Sequence, residues 1–228
     1  MIYVLQFICL AITILIYSLT KKIYKTYKWT VLSPLILCPL LLILFLQLFH
    51  ISYDHYAQGA NRLSKLLDPA VVAFAYPLYQ YRETLKKHAV QIVLNVFAGS
   101  LISIIISTLL SKLFHMNITM SDSLAPHIVT TPIAMDISSM TGGTGELTAL
   151  FVIMTALIGI LTGPFLIRIL RIRTAVAKGI MLGTSANGTG TSKAYELGPL
   201  EGTIATISML LTGAFNVLLV PFFLEVIY

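Results

Sequence analysis

The sequence predicts an all-α polytopic membrane protein: about six transmembrane helices, plus two broken or re-entrant helical segments that resemble one another as the halves of an inverted repeat would. Three observations lead there. Of 228 residues, 57% are hydrophobic and only 11% charged, against about 25% charged in an ordinary soluble domain. The apolar residues fall in runs long enough to cross a hydrocarbon core of roughly 30 Å. The cations gather beside those runs rather than spreading over a surface.

Taken in order, residues 1–19, 31–49, 89–113 and 147–167 are each about 20 residues long and nearly free of charge, which meets the length rule for a spanning helix. Residues 203–224 form another span, interrupted late by Pro221. The N-terminal run is followed, not preceded, by its basic cluster and shows no small-x-small cleavage pattern, so it reads as an uncleaved span. Residues 66–79 make a sixth crossing, short and kinked by Pro69 and Pro77. The segmentation suggests an N-terminal scaffold, 1–65, and a core, 66–228. The first two spans carry few polar residues and are candidates for a scaffold or a homodimer surface.

Eleven of the fifteen Lys and Arg lie in three short stretches: Lys21, Lys22, Lys25 and Lys28; Arg82, Lys86 and Lys87; Arg168, Arg171, Arg173 and Lys178. By the positive-inside rule all three face the cytoplasm, which leaves the N-terminus outside. The net charge of +6 is thus a topology signal and not a nucleic-acid stripe. Cys9 and Cys38 lie within apolar runs and pack as small hydrophobes, framing neither a disulfide nor a metal site.

Two segments are too polar for ordinary spans: 124–143, with APHIVTTPIAMDISSMTGG, and 175–198, with AVAKGIMLGTSANGTGTSKAYELG. Irregular backbone at membrane depth is tolerated only where protein buries it or where it lines a water-filled cavity. Each runs through a threonine and an alanine (Thr131 and Ala134; Thr191 and Ala194) to a glycine and a glutamate before a span. Paired interruptions of this kind point to a transporter binding site. As re-entrant hairpins, the first enters from outside and the second from the cytoplasm; if the first crosses fully, Arg168 to Lys178 lie outside.

The chemistry at the breaks is that of anion binding. Thr131 before Pro132 reads as an N-cap followed by the first helical residue. Thr191 after Gly188 and Gly190 reads as a second helix start, with Lys193 in its first turn. Bare amides and the dipole at such starts attract an anion, and two starts facing one another would cage a small carboxylate. The candidate binding residues are Thr130, Thr131, Pro132 and Asp136 in the first segment. In the second they are Gly183, Thr184, Ser185, Asn187, Gly188, Gly190, Thr191 and Lys193. The plainer reading is that Thr, Ser and Gly serve close helix packing in bilayers. Asp136 is a functional candidate as an intramembrane carboxylate, while His127 reads as an interfacial hydrogen-bonding residue. Glu146 and Glu201 fit helix starts. GTSANGTGT lacks the Lys-Ser/Thr pair of a nucleotide loop, no cofactor is indicated, and Ser185 with His127 forms no protease pattern. The chain reads as a non-enzyme.

The motifs VTTPIA and GTSxxGxGTxxA, with LLDPAVVAFAYPLY and GGTGELTALFVIMTALIG, resemble the LrgB/CidB family of bacterial inner-membrane proteins from about Leu66 onward. Many members carry Ser-His-Gly where this chain has Ala186, Asn187 and Gly188, and Asp136 lies outside the pattern, so no role resting on that histidine carries over. The resemblance implies a location in the bacterial cell membrane and two functions. One is carriage of a small monocarboxylate such as pyruvate, or glycolate and glycerate in plastid relatives. The other is holin-like or antiholin-like control of murein hydrolase activity and lysis with a small CidA/LrgA-type membrane partner.

Overall fold

The structure, a computed structural model, describes residues 2–27, 29 and 32–227, with side chains outside 2–6, 62, 67–68 and 226–227. Met1, Lys28 and Val31, assigned above to span ends and to the first cationic stretch, lie outside the described residues. Among the described residues all regular structure is helical. In order these are α1 (Ile2–Tyr27), α2 (Pro34–Leu48), α3 (Tyr53–Ser64), α4 (Leu67–Ala73), α5 (Ala75–Gln80), α6 (Arg82–Lys87) and α7 (Ala89–Leu113). They continue as α8 (Ile118–Leu124), α9 (Thr131–Thr141), α10 (Gly145–Ile169), α11 (Ala175–Ser185), α12 (Asn187–Leu197) and α13 (Pro199–Ile227). Four stretches, Phe7–Tyr27, Ala89–Leu113, Gly145–Ile169 and Pro199–Glu225, are long and apolar enough to cross a membrane. The chain is an all-α polytopic membrane protein.

It divides into two compact units, Met1–Ala75 and Tyr76–Tyr228. In the first, α1 packs against α2 and α3, and Thr13 and Tyr56 share a 3.1 Å hydrogen bond between hydroxyls. Helix α1 continues past residue 19, so Lys21, Lys22 and Lys25 stand on its last turns and not in a loop. Helix α2 opens with Pro34 in the first turn, where a missing amide costs nothing. Residues 66–79, expected as a kinked sixth crossing, form two short helices, α4 and α5, neither of them long enough to span by itself.

The second unit is built on α7, α10 and α13. Ile92 and Val96 of α7 pack with Ile204 of α13, Phe97 meets Phe215 edge-on at 5.4 Å, and Ile104 packs with Val220 and Leu224. Residue numbers rise together, so α7 and α13 run parallel. Pro221 lies inside α13, which continues to Ile227; the interruption expected there does not occur. Two buried hydroxyls on this helix are satisfied locally, with Ser208 and Thr212 donating to the carbonyls of Ile204 and Ser208. Glu146 and Glu201 fall in the first turns of α10 and α13, where a carboxylate complements the helix dipole.

Between these rods lie two hairpins. In the first, the Thr144 amide donates to Ser123 Oγ at 2.9 Å, which brings the chain leaving α9 back beside the end of α8. Residues 125–130 descend in turns and α9 returns. Gly142 ends α9 at φ 97°, with the Gly143 amide on the Ser138 carbonyl at 2.9 Å, a left-handed helix end that glycine supplies without strain.

In the second hairpin, α11 is capped by Thr174, whose hydroxyl accepts from the Ala177 amide at 3.2 Å, and it crosses α13 with Gly179 against Ile204 and Gly183 against Ala205. Helix α12 then retraces α13 in the opposite sense: Thr191 and Gly188 lie at Met209, and Tyr195 lies at Gly202 and Thr206. The turn is made at Ala186 and Asn187, the latter at φ 40°.

Gly190 is what allows the two arms to touch. A Cβ there would overlap the Leu182 carbonyl and crowd the Ala186 side chain, so Gly190→Ala should cost about 1–3 kcal/mol as overpacking and lower the apparent unfolding midpoint in detergent. Gly188, whose Cβ would find its nearest neighbour at 4.0 Å, should accept alanine with a much smaller shift. Equal midpoints for the two variants would contradict this packing.

Candidate functional site

The tips of the two hairpins meet. Asn187 is buried and its Nδ2 donates to the Val129 carbonyl at 3.3 Å, bonding residues 58 apart in sequence. Both tips lie beside the middle of α10: Ile128, Val129 and Ala134 pack with Val152, and Ala186 packs against Gly159. Two interruptions that the sequence separates widely therefore share one level of the bundle.

The helix starts differ in detail from those expected. Thr130, not Thr131, holds the extended N-cap conformation (φ −60°, ψ 142°), and its carbonyl accepts the Ala134 amide at 2.9 Å. Thr131 and Pro132 are thus the first and second helical residues, and no side chain caps the start. Helix α12 begins at Asn187, because the positive φ there turns the chain at a single residue. Thr191 consequently lies inside the helix; its hydroxyl donates to the Asn187 carbonyl at 3.0 Å and rests on the Met209 sulfur at 3.7 Å. Nor is Lys193 in a first turn. It is buried, and its Nζ is 2.6 Å from Glu196.

A groove of about 390 Å³ opens along α7 and α11 and reaches the tips. Its polar lining is Gln91, Asn95, Ser103, Thr184 and Ser185, closed by Ile128. Thr184 is 8% exposed and its buried hydroxyl has no hydrogen-bond partner, which leaves unspent hydrogen-bonding capacity beside the groove. Ser185 donates to the Met181 carbonyl at 2.7 Å. Behind the groove, His127 contacts Ser103 at 3.3 Å through Nε2 and the Leu124 carbonyl at 2.9 Å through Nδ1. A ring that donates Nδ1–H to Leu124 accepts the Ser103 hydroxyl at Nε2. His127 is thus occupied by Ser103 and Leu124, and Ser185 by Met181. Asp136 is exposed on α9, and Pro132 is exposed as well. Gly183 serves the contact with α13.

Sequence reasoning missed Gln91, Asn95, Gly99 and Ser103, because they lie in a helix apolar enough to pass as plain lipid-facing span. The signal was present: four polar or small residues at intervals of four, which a helix places on one face. Among the described residues, no three His, Cys, Asp or Glu side chains gather as a metal-binding group.

Several long apolar helices, with two short-helix hairpins bonded tip to tip beside a polar groove, define a multi-pass membrane protein with an internal polar centre. Residues 13–226 match the LrgB-like family, and the chain belongs to it. Among its relatives, an uncharacterised protein of Bacillus subtilis, YwbG, is 46% identical over 96% of this chain and 97% of that protein. The antiholin-like protein LrgB of the same organism is 34% identical over 89% of this chain and 88% of its own length. The holin-like protein CidB of Staphylococcus aureus is 31% identical over 99% of both. No solved structure matches. The chain is a multi-pass protein of the bacterial cell membrane.

The junction at Asn187 can be dissected by two substitutions. Asn187→Gly and Asn187→Ala both remove the bond to Val129, but only alanine must also hold a left-handed conformation, at about 1–2 kcal/mol. Unfolding midpoints in detergent should therefore fall in the order parent, glycine variant, alanine variant. An alanine variant as stable as the glycine one would show that the positive φ is not maintained.

Proposed function

We propose that this chain is a non-catalytic membrane component of the holin-like and antiholin-like class, modulating murein hydrolase activity and lysis together with a small CidA/LrgA-type membrane protein. The observation that carries this reading is the pair of relatives named as antiholin-like LrgB and holin-like CidB, each matched along most of its length. Loss of the protein should then alter lysis and murein hydrolase activity, and the small partner should co-purify with it. Unchanged lysis in a strain lacking both proteins would remove the support.

A second reading, carriage of a small monocarboxylate such as pyruvate, is favoured by the Asn187–Val129 junction. A lateral pore needs self-association of apolar faces, whereas two interrupted hairpins meeting tip to tip suit a binding centre at mid-depth. The substrate carboxylate would lie at the groove end near Thr130, Thr131, Thr184, Ser185 and Asn187. The start of α12 at Asn187, Gly188 and Gly190 supplies the positive dipole end. Thr191 and Lys193 support that helix from behind, and Asp136 stands further along α9. In this frame the 124–143 and 175–198 segments are re-entrant hairpins from opposite faces, in an inverted arrangement with the cationic ends cytoplasmic.

Proteoliposomes separate the readings. Saturable accumulation of labelled pyruvate supports the carrier, and size-graded dye leakage supports a pore. For the carrier, Thr184→Val should reduce uptake by about 0.5–1.5 kcal/mol, roughly two- to tenfold, without loss of monodisperse protein. Uptake equal to the parent would take Thr184 out of the site. The orientation is tested by Arg171→Cys, which should resist an impermeant thiol reagent applied to intact cells; modification from outside would mean that the first hairpin crosses.

A further inference from the structure

The outer mouth of the first hairpin, away from the groove, holds a second polar centre. Asp122 is 3% exposed and its Oδ1 has no hydrogen-bond partner. It lines a cavity of about 290 Å³ with Thr141 and Glu225, walled by Ile118, Met140 and Leu224. Ser138, one turn before the end of α9, is 0% exposed and its hydroxyl is also unpartnered. Both side chains approach one turn: a Cβ on Gly142 would lie 3.4 Å from Asp122 Oδ2, and one on Gly143 would press against Ser138 Oγ.

The sign of the charge is the difficulty such an arrangement must resolve. A helix C-terminus is the negative end of its dipole, and α9 ends here with its final carbonyls beyond the reach of helical amides. A buried carboxylate placed at that end, with a second carboxylate on α13 facing the same opening, is unfavourable unless a cation joins them. No Lys or Arg is among the residues that line the cavity.

We propose that this mouth binds an alkali metal cation of the sodium class, anchored by Asp122 and completed by the Thr141 hydroxyl, the carbonyl end of α9 and Glu225. An all-oxygen set selects a hard cation. Asp122 is the buried carboxylate and balances a single positive charge, while Glu225 is exposed and keeps its own hydration; half-helix C-terminal ends hold sodium in broken-helix proteins. Thr141 can contribute because its hydroxyl hydrogen is committed to the carbonyls of Ile137 and Ser138, which leaves its lone pairs outward. The site is independent of both functional readings above.

The test uses the full-length protein in detergent, without substrate, comparing unfolding midpoints in sodium chloride and choline chloride at matched ionic strength and fixed pH. Sodium should raise the parent's midpoint saturably. Thr141→Val and Glu225→Gln should each shift the half-saturating concentration upward several-fold, and Asp122→Asn should abolish the response. Asp136→Asn, on the exposed face of α9, should leave it unchanged. Should Asp122→Asn not be recoverable, the Thr141 and Glu225 variants carry the test. A parent that responds equally to sodium and choline overturns the proposal, as does a full response in the Asp122 variant. So does a midpoint that rises on acidification in choline with nothing added by sodium, since a proton would then be the occupant.

Discussion

Two breaks in secondary structure at one depth of an apolar bundle leave backbone groups that no water can satisfy, and the protein meets that demand by making each hairpin complete the other. Val129 ends a run of turns whose carbonyl has no helical amide ahead of it. Asn187 supplies the donor from the opposite hairpin. Within each tip two further groups are held locally, the Val129 amide by the Pro126 carbonyl and the Ala186 carbonyl by the Thr189 hydroxyl. An unsatisfied peptide group in hydrocarbon costs several kcal/mol, so neither hairpin is stable with its tip exposed to lipid. The polar centre is thus a consequence of the fold's topology before it is a binding site.

Small residues set how closely the elements approach that centre. Helices do not associate in lipid through a hydrophobic force of their own; they associate where backbones come near enough for dispersion contacts. Gly179 and Gly183 bring α11 onto α13, Gly190 brings α12 onto α11, and Gly159 receives Ala186. The glycine-rich run GTSANGTGT is therefore used chiefly for contact. Only Asn187 within it takes a backbone conformation that most side chains avoid, and it is also the residue whose side chain reaches across to the other hairpin.

Four long apolar helices were legible because hydrophobic length is a cumulative property of many residues, robust to any one of them; the run 31–49 was expected to be as long, but its helix has 15 residues, Pro34–Leu48. Helix starts were less so. Thr131 before proline and Thr191 after two glycines are sound local signals, yet both caps were misplaced, the first by one residue and the second by five. Local preference fixes that a start is near; the tertiary contact of Asn187 with Val129 decides where it falls. Gln91, Asn95 and Ser103 escaped for the opposite reason. Averaged hydropathy dilutes three polar residues among twenty-five, although their spacing of four marks a single face. Asp122 sits in a seven-residue helix between recognised segments, where only burial gives a carboxylate meaning.

The position held by Asn187 has a further consequence. Where the motif resemblance implies a histidine in many family members, this chain carries a side chain that donates through an amide and cannot be protonated near neutral pH. The bond to Val129 needs only a donor, which an imidazole N–H would also supply. What an amide does not offer is a proton-dependent strength of that bond: an imidazole gains charge and a second donor as pH falls, whereas the amide is indifferent. Asn187 therefore supplies no proton sensitivity to the junction; His127, behind the groove, and Asp122 are ionisable groups of the first hairpin. Both stand in the hairpin that accepts the bond, while the donor itself is neutral.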